Sequence, residues 1–282
     1  MDLDEMARHP RNTHFEWVDR TGPFRRLTPE QVAGFDRDGY VVLERALPEE
    51  DLTALVAEID PMEAELEDLL RQAEDGKVFI ARADEITFTT HLVTRSERIR
   101  ALAASALFTD LCHDLIGPDV RFYWDQAVYK KPDTEAPFPW HQDNGYAFVE
   151  PQQYLTCWIA LTDATVDNGC PWILPGLHRA GTLEHRLTDI GFVCFDDEPD
   201  GAVPVEAPAG SVVAFSSLTP HTTKANRTDE VRKAYITQYA SMGSEVLSDD
   251  GEGGTLRVPA VDPDRQFPVL VGGKPVPNDL PL

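Results

Sequence analysis

The sequence predicts a mainly β fold, a barrel of short antiparallel strands flanked by helices. Three observations predict it. Between about residues 120 and 240, runs rich in Val, Ile, Phe, Tyr and Trp alternate with Pro, Gly, Asp and Asn turn signals. The segment before that stretch carries apolar residues at helical spacing. The chain is 282 residues long with 42% hydrophobic residues, which is the size and apolar content of one large core.

The elements follow in order. Thr28 is an N-cap, with Pro29 at the first helical position and Gln31 three after the cap. Gly39 ends that helix, and Tyr40 to Leu43 is a strand. From Pro48 to about Gln72, Leu52, Leu55, Val56, Ile59, Leu66, Leu69 and Leu70 mark a second helix, and Pro61 is expected to break or kink it. Between 74 and 95, the segments Val78 to Arg82 and Ile86 to Val93 are strands or a lid. Val120 to Lys131 is a long strand. Phe138-Pro139-Trp140 leads into His141, and Tyr154 to Leu161 is a buried strand. After the Asp167-Asn168-Gly169 turn come Trp172 to Leu174, closed by Pro175-Gly176, then Ser211 to Phe215, and His221 after Pro220. In the last long strand, Val231 to Ala240, alternation puts Arg232, Ala234, Ile236 and Gln238 on one face. The tail from Gly243 is rich in Gly, Pro and Asp and is ordered only if it docks. The expected organisation is one domain over 1–282: a mainly helical N-terminal buttress (1–115), a barrel core (116–242) and a C-terminal tail (243–282).

Composition narrows the function. The 49 acidic against 25 basic residues give a net charge of −24, which repels a phosphate backbone and argues against a nucleic-acid partner. No apolar run approaches the length of a membrane span, and no charged-then-apolar leader opens the chain. Cys112, Cys157, Cys170 and Cys194 form no CxxC pair and read as small reduced hydrophobes of a cytoplasmic protein. The expected partner is a small-molecule substrate, and the expected state a monomer or homodimer.

The chemistry lies in Trp140-His141-Gln142-Asp143 and, far downstream, His221 with Arg232 eleven positions later. Two imidazoles and one carboxylate are the ligand set of a non-haem Fe(II) centre with open positions. Arg232 offers a planar cation that grips a carboxylate at two points, as a dicarboxylate co-substrate requires; the bland alternative is a strand-end salt bridge to Asp229 or Glu230. A His-x-Asp/Glu triplet is weak by itself. With eight histidines in so acidic a chain, roughly one match arises by chance. His14-Phe15-Glu16 is such a decoy, in a polar stretch without strand pattern. Strand context separates His141 from it. His91 and His113 have no partner at ligand spacing, and His178 and His185 fall around a turn. Gln142 points away from the metal by alternation, toward substrate or solvent.

The chain resembles the phytanoyl-CoA dioxygenase family of Fe(II)/2-oxoglutarate oxygenases over about residues 27–242. The resemblance rests on Leu27-Thr28-Pro29-Glu30 with Asp38-Gly39-Tyr40-Val41-Val42, on Trp140-His141-Gln142-Asp143, on Asp167-Asn168-Gly169-Cys170-Pro171 with Leu174-Pro175-Gly176-Leu177-His178-Arg179, and on His221 with Arg232. Leu177 departs from the family, which more often has a small polar residue there. The resemblance implies a double-stranded β-helix (jelly-roll, cupin-like) fold. It implies Fe(II) on His141, Asp143 and His221, 2-oxoglutarate as cofactor and O2 as co-substrate, with no catalytic side chain beyond the metal ligands. Arg232 would anchor 2-oxoglutarate, with Thr223 beside the same carboxylate, Trp158 nearby, and Lys130 or Lys131 as a second cation, only one of which alternation lets point inward. Trp158 also reads as an ordinary core tryptophan. Retention of Asp143 implies oxidation rather than halogenation. The implied reaction is hydroxylation of an unactivated C–H bond of a small metabolite, such as a natural-product intermediate, with release of succinate and CO2. Desaturation, epoxidation or ring closure by the same chemistry is the alternative. So are a zinc or 2-oxoglutarate-independent iron enzyme and a non-enzymatic metal-binding barrel.

Overall fold

The computed structural model describes residues 6–277; the outermost five positions at each end of the expected domain lie outside the described residues. Four helices, α1 (Pro29–Asp38), α2 (Glu49–Gln72), α3 (Glu97–Ala103) and α4 (Ala106–Leu115), precede the long strand Val120–Lys130. The capping box at Thr28 is complete: Gln31 N–H donates to Thr28 Oγ1 and the Thr28 N–H donates to Gln31 Oε1. Gly39 closes α1 in the left-handed region at φ 86°.

Two facing antiparallel sheets form the double-stranded β-helix. The larger runs Tyr40–Leu43, Val212–Ser216, Leu155–Ala160, Arg232–Ser241, Val120–Lys130, Ile86–Thr90, Ala81–Arg82, Lys77–Val78. The smaller runs Val203–Pro204, Pro171–Ile173, His221–Thr223, Phe138–His141. The sheets face one another as separate ladders rather than closing into the continuous barrel the sequence suggested. Strands on both sides of the expected 116–242 core join the larger sheet, as Ile86–Thr90 and Pro268–Val271 both pair with Val120–Lys130. The 74–95 region therefore adds three short strands to the sheet, between helical turns at Glu74–Gly76 and Leu92–Thr94.

The tail docks. Glu245–Asp249 pairs with Phe148–Glu150, and Thr255–Pro259 lies along its outer edge. Alternation divides the larger sheet as expected. Tyr235, Cys157 and Ile159 face the helices and join Phe35, Ile59 and Phe108 in the main core. Trp158, Ala160, Val213 and Ala234 face the smaller sheet.

The break expected at Pro61 does not occur. Pro61 lies inside α2, which runs unbroken from Glu49 to Gln72. The missing backbone bond is offset by docking: Leu55, Ile59, Met62 and Leu70 are buried. Ion pairs flank the proline, Asp60 to Lys233 at 2.8 Å and Glu63 to Lys131 at 2.6 Å. The four cysteines are free; three are buried and Cys194 is half-buried.

The tightest turn joins α1 to the sheet. A Cβ on Gly39 would lie 2.5 Å from Thr219 Oγ1 and 2.6 Å from the His178 ring, at a positive φ. Gly39→Ala combines backbone strain with overpacking and should lower the unfolding free energy by about 2 kcal/mol or more. Urea denaturation of the two proteins measures this, and a loss below about 0.5 kcal/mol would contradict the contact.

Candidate metal centre

His141 ends the Phe138–His141 strand, and His221 begins the neighbouring His221–Thr223 strand directly opposite it. Their ring centroids are 4.1 Å apart. Each ring is fixed through Nδ1, which donates to a backbone carbonyl two residues earlier: Pro139 at 2.8 Å and Thr219 at 3.0 Å. That bond leaves Nε2 as the free lone pair, the tautomer a metal ligand needs. Asp143 starts the short helical turn Asp143–Gly145, and its Oδ1 is 3.8 Å from both Nε2 atoms. The three candidate ligand atoms lie within 4.8 Å of one another, the only such group of His, Cys, Asp or Glu among the described residues. Burial, then the neighbouring His221, holds the His141 imidazole well below its ordinary pKa, so it stays neutral. The decoy at His14 is exposed and takes no part.

Arg232 begins its strand opposite Lys130 and points into the cleft between the sheets. It is 1% exposed, yet Nε, Nη1 and Nη2 have no hydrogen-bond partner among the described residues. The salt bridge to Asp229 or Glu230 is not formed. Burial lowers its pKa to about 10, so the guanidinium is still charged at neutral pH. Thr223 lines the same cleft, and its Oγ1 is also buried without a partner. Trp158 lines it too, with its ring centroid 5.6 Å from the guanidinium carbon. It serves as core and as cleft wall at once.

The lysines divide as alternation required. Lys130 turns inward and Lys131 outward, to Glu63 and Glu67. Lys130 Nζ, however, donates to the carbonyls of Ala136, Thr223 and Lys224 and does not line the cleft. Burial, then Arg232, pushes its pKa down to about 6.

Gln142 faces neither substrate nor solvent. It is fully buried, donating to the carbonyls of Gly181 and Leu218 and accepting from the Leu183 N–H. Sequence reasoning also missed His185, whose Nε2 accepts the Gln142 N–H at 2.9 Å between the two ligands of the triplet. Thr156 was missed as well; its hydroxyl donates to Asp143 Oδ2. Alternation with Trp158 would have placed Thr156 inward, but nothing in the sequence ties His185 to the site. Leu177 is buried against Trp140 and Leu174, so an apolar side chain fits there.

A sequence model described as phytanoyl-CoA dioxygenase matches residues 35–234. The chain belongs to the phytanoyl-CoA dioxygenase family. It is thus a non-haem iron, 2-oxoglutarate-dependent dioxygenase. Among relatives of this family member, the methylphosphonate hydroxylase of Gimesia maris is 28% identical over 231 residues, covering 79% of this chain and 85% of that one. A phytanoyl-CoA dioxygenase of Arabidopsis thaliana is 23% identical, covering 74% and 87%. In structure the chain is similar to SnoK, a non-haem α-ketoglutarate-dependent carbocyclase from nogalamycin biosynthesis. The TM-score is 0.70 at 25% identity, covering 86% of this chain and 96% of that one.

Buried neutral imidazoles make this dioxygenase acid-sensitive. Burial lowers His178 and His185 to about 4. Their folded pKa values lie below the unfolded value, so the unfolded state binds more protons and stability falls with pH below about 6.5. At pH 5 each costs about 2 kcal/mol, while Asp125, raised to about 6 by burial, returns about 1 kcal/mol. Urea unfolding of metal-free protein should therefore lose about 2–3 kcal/mol between pH 6.5 and 5. An unchanged midpoint would contradict it.

Proposed function

We propose that this dioxygenase hydroxylates an unactivated C–H bond of a small, largely apolar metabolite, with Fe(II) on His141, Asp143 and His221 and 2-oxoglutarate anchored by Arg232. The observation that carries this reading is the buried, unpaired guanidinium of Arg232 beside the unpaired Thr223 hydroxyl. A buried charge without a partner costs several kcal/mol, so the cleft is built for an anion. A carboxylate fits both groups: two oxygens for the guanidinium fork, and a lone pair for the threonine hydroxyl. Lys130, its amine held largely neutral by burial and by Arg232, donates to the Thr223 carbonyl and fixes the backbone there. Trp158 gives the co-substrate a flat wall.

When bound, iron and 2-oxoglutarate supply the chemistry that turns O2 and a C–H bond into an alcohol, succinate and CO2. The side chains position and shield. Ile86, Phe88, Val128, Phe138 and Ile236 line the cleft, exclude water and offer an apolar surface to substrate. Among the described residues, the Asp143 carboxylate and the Arg232 guanidinium line it beside the two candidate ligand histidines. Ring closure is the second reading, favoured by the likeness to a carbocyclase. We place the activity in the cytoplasm, in a chain that acts as one domain and as a monomer or homodimer.

Two outcomes test the proposal. Replacing His141, Asp143 or His221 with Ala should abolish Fe(II)-dependent succinate release while leaving the circular dichroism spectrum unchanged; turnover at the wild-type rate in any of them would remove that residue from the metal. Arg232→Ala should raise the apparent KM for 2-oxoglutarate by about 100-fold or more, and Arg232→Lys should restore it only partly, because a point charge lacks the two-point grip. Succinate release across a metabolite panel is the assay, and an unchanged KM in Arg232→Ala would move the anchor to another residue.

A further inference from the structure

Asp143 lies just past the end of an edge strand, in a short helical turn. Unlike the two histidines, its side chain is not held by a bond to its own strand. Two residues of the larger sheet hold it instead. Thr156 is fully buried on the inward face of its strand, and its hydroxyl donates to Asp143 Oδ2. Thr156 Oγ1 in turn accepts from Gln238 Nε2 at 3.3 Å. Thr156 and Gln238 are cross-strand partners, so sheet register sets their meeting. With the Gln238 N–H on one lone pair, the single Thr156 proton is directed to the carboxylate.

The consequence lies in the other oxygen. Oδ1 faces both histidine Nε2 atoms at 3.8 Å, while Oδ2 is occupied. We propose that Gln238 and Thr156 are positioning residues that make Asp143 a one-oxygen metal ligand. The triad would then hold Fe(II) through one atom from each residue. A carboxylate free to rotate and bind through both oxygens would compete with the co-substrates whose chemistry the metal would supply. The inference rests on the metal reading above and extends it to residues that never touch the metal.

Anaerobic calorimetric titration with Fe(II) alone tests it in wild-type protein, Thr156→Val, Thr156→Ser and Gln238→Met, beside urea unfolding of each metal-free protein. Thr156→Val keeps the shape and removes the hydroxyl; it should bind Fe(II) about 10–100-fold more weakly, the usual effect of losing an outer partner of a metal ligand. Thr156→Ser should stay within about threefold of wild type. Gln238→Met should weaken binding severalfold, and it carries the test should the valine variant fail to fold. Affinity should follow the hydroxyl, not the stability of the metal-free protein. Wild-type affinity in Thr156→Val or, should that variant not fold, in Gln238→Met would overturn the relay and leave the metal centre standing. A wild-type chain that bound no Fe(II) would overturn the metal centre, and the relay with it.

Discussion

A guanidinium buried between two sheets without a counter-charge is the constraint on which the rest of this structure depends. Arg232 cannot be neutralised at physiological pH, and its three nitrogens have no acceptor among the described residues. A fold that carries such a group must be stable enough elsewhere to tolerate it. The outer face of the same strand shows how. Tyr235 and Tyr239 are fully buried under α3 and α4, and the Tyr239 hydroxyl donates to the Ala103 carbonyl. The Tyr235 hydroxyl donates to Asp125. One strand therefore holds the strain of the site on one face and much of the main core on the other. Lys130 supports the arrangement differently. Burial and Arg232 push its pKa down to about 6, and its amine donates to three backbone carbonyls, so it ties the segments behind Arg232 together without competing for the anion.

The ligands are organised by the same economy of contacts. His141 and His221 face each other because two short strands pair in register, and each ring is then locked by a carbonyl from its own chain segment. The backbone between His141 and Asp143 is pinned by His185 and the buried Gln142 amide. Gly145 is required beneath it, since a Cβ there would sit 2.3 Å from the His185 ring. Local geometry thus fixes the histidines, while Asp143 depends on the opposite sheet.

Much of this was legible in the sequence, and the reasons differ by residue. The capping box at Thr28 and the inward face of the Arg232–Ser241 strand were legible because each is encoded within a few residues. The candidate triad came from residue type and strand context. Pro61 misled because intrinsic helix chemistry was weighed without the burial and ion pairs that hold α2 to the sheet. Gln142 misled because alternation gives a direction but not what lies there; the Gly181–Leu183 segment that caps it is about forty residues away in sequence. His185 acts across a similar gap, and such long-range pairing leaves no local mark; Thr156 lies only thirteen residues from Asp143, and alternation gave its direction but not its partner. The tail was legible only as a condition, since docking depends on edge strands it happens to meet.

These differences in encoding divide the cleft into a part that is over-determined and a part that is not. Each histidine has its ring nitrogen tied, Asp143 has one oxygen tied, and Arg232 and Thr223 share one uncommitted acceptor-seeking surface. A change at either histidine or at Asp143 leaves its buried hydrogen-bond partner unpaired, whereas a change at Arg232 or Thr223 removes the groups that call for an anion. By contrast, Ile86, Phe88, Val128, Phe138 and Ile236 contribute only shape and dryness. Apolar residues of similar volume can replace one another there at small cost in stability. Two of them, Phe88 and Phe138, pack across the gap between the sheets with ring centroids 5.3 Å apart. Phe138 also packs edge-on against His141 at 4.9 Å, so Phe88 is the member of that pair whose substitution would reshape the cleft wall without touching a candidate metal ligand. The fold therefore separates the machinery that activates oxygen from the surface that chooses what is oxidised, and relatives named for a phosphonate hydroxylation and a carbocyclisation can share it.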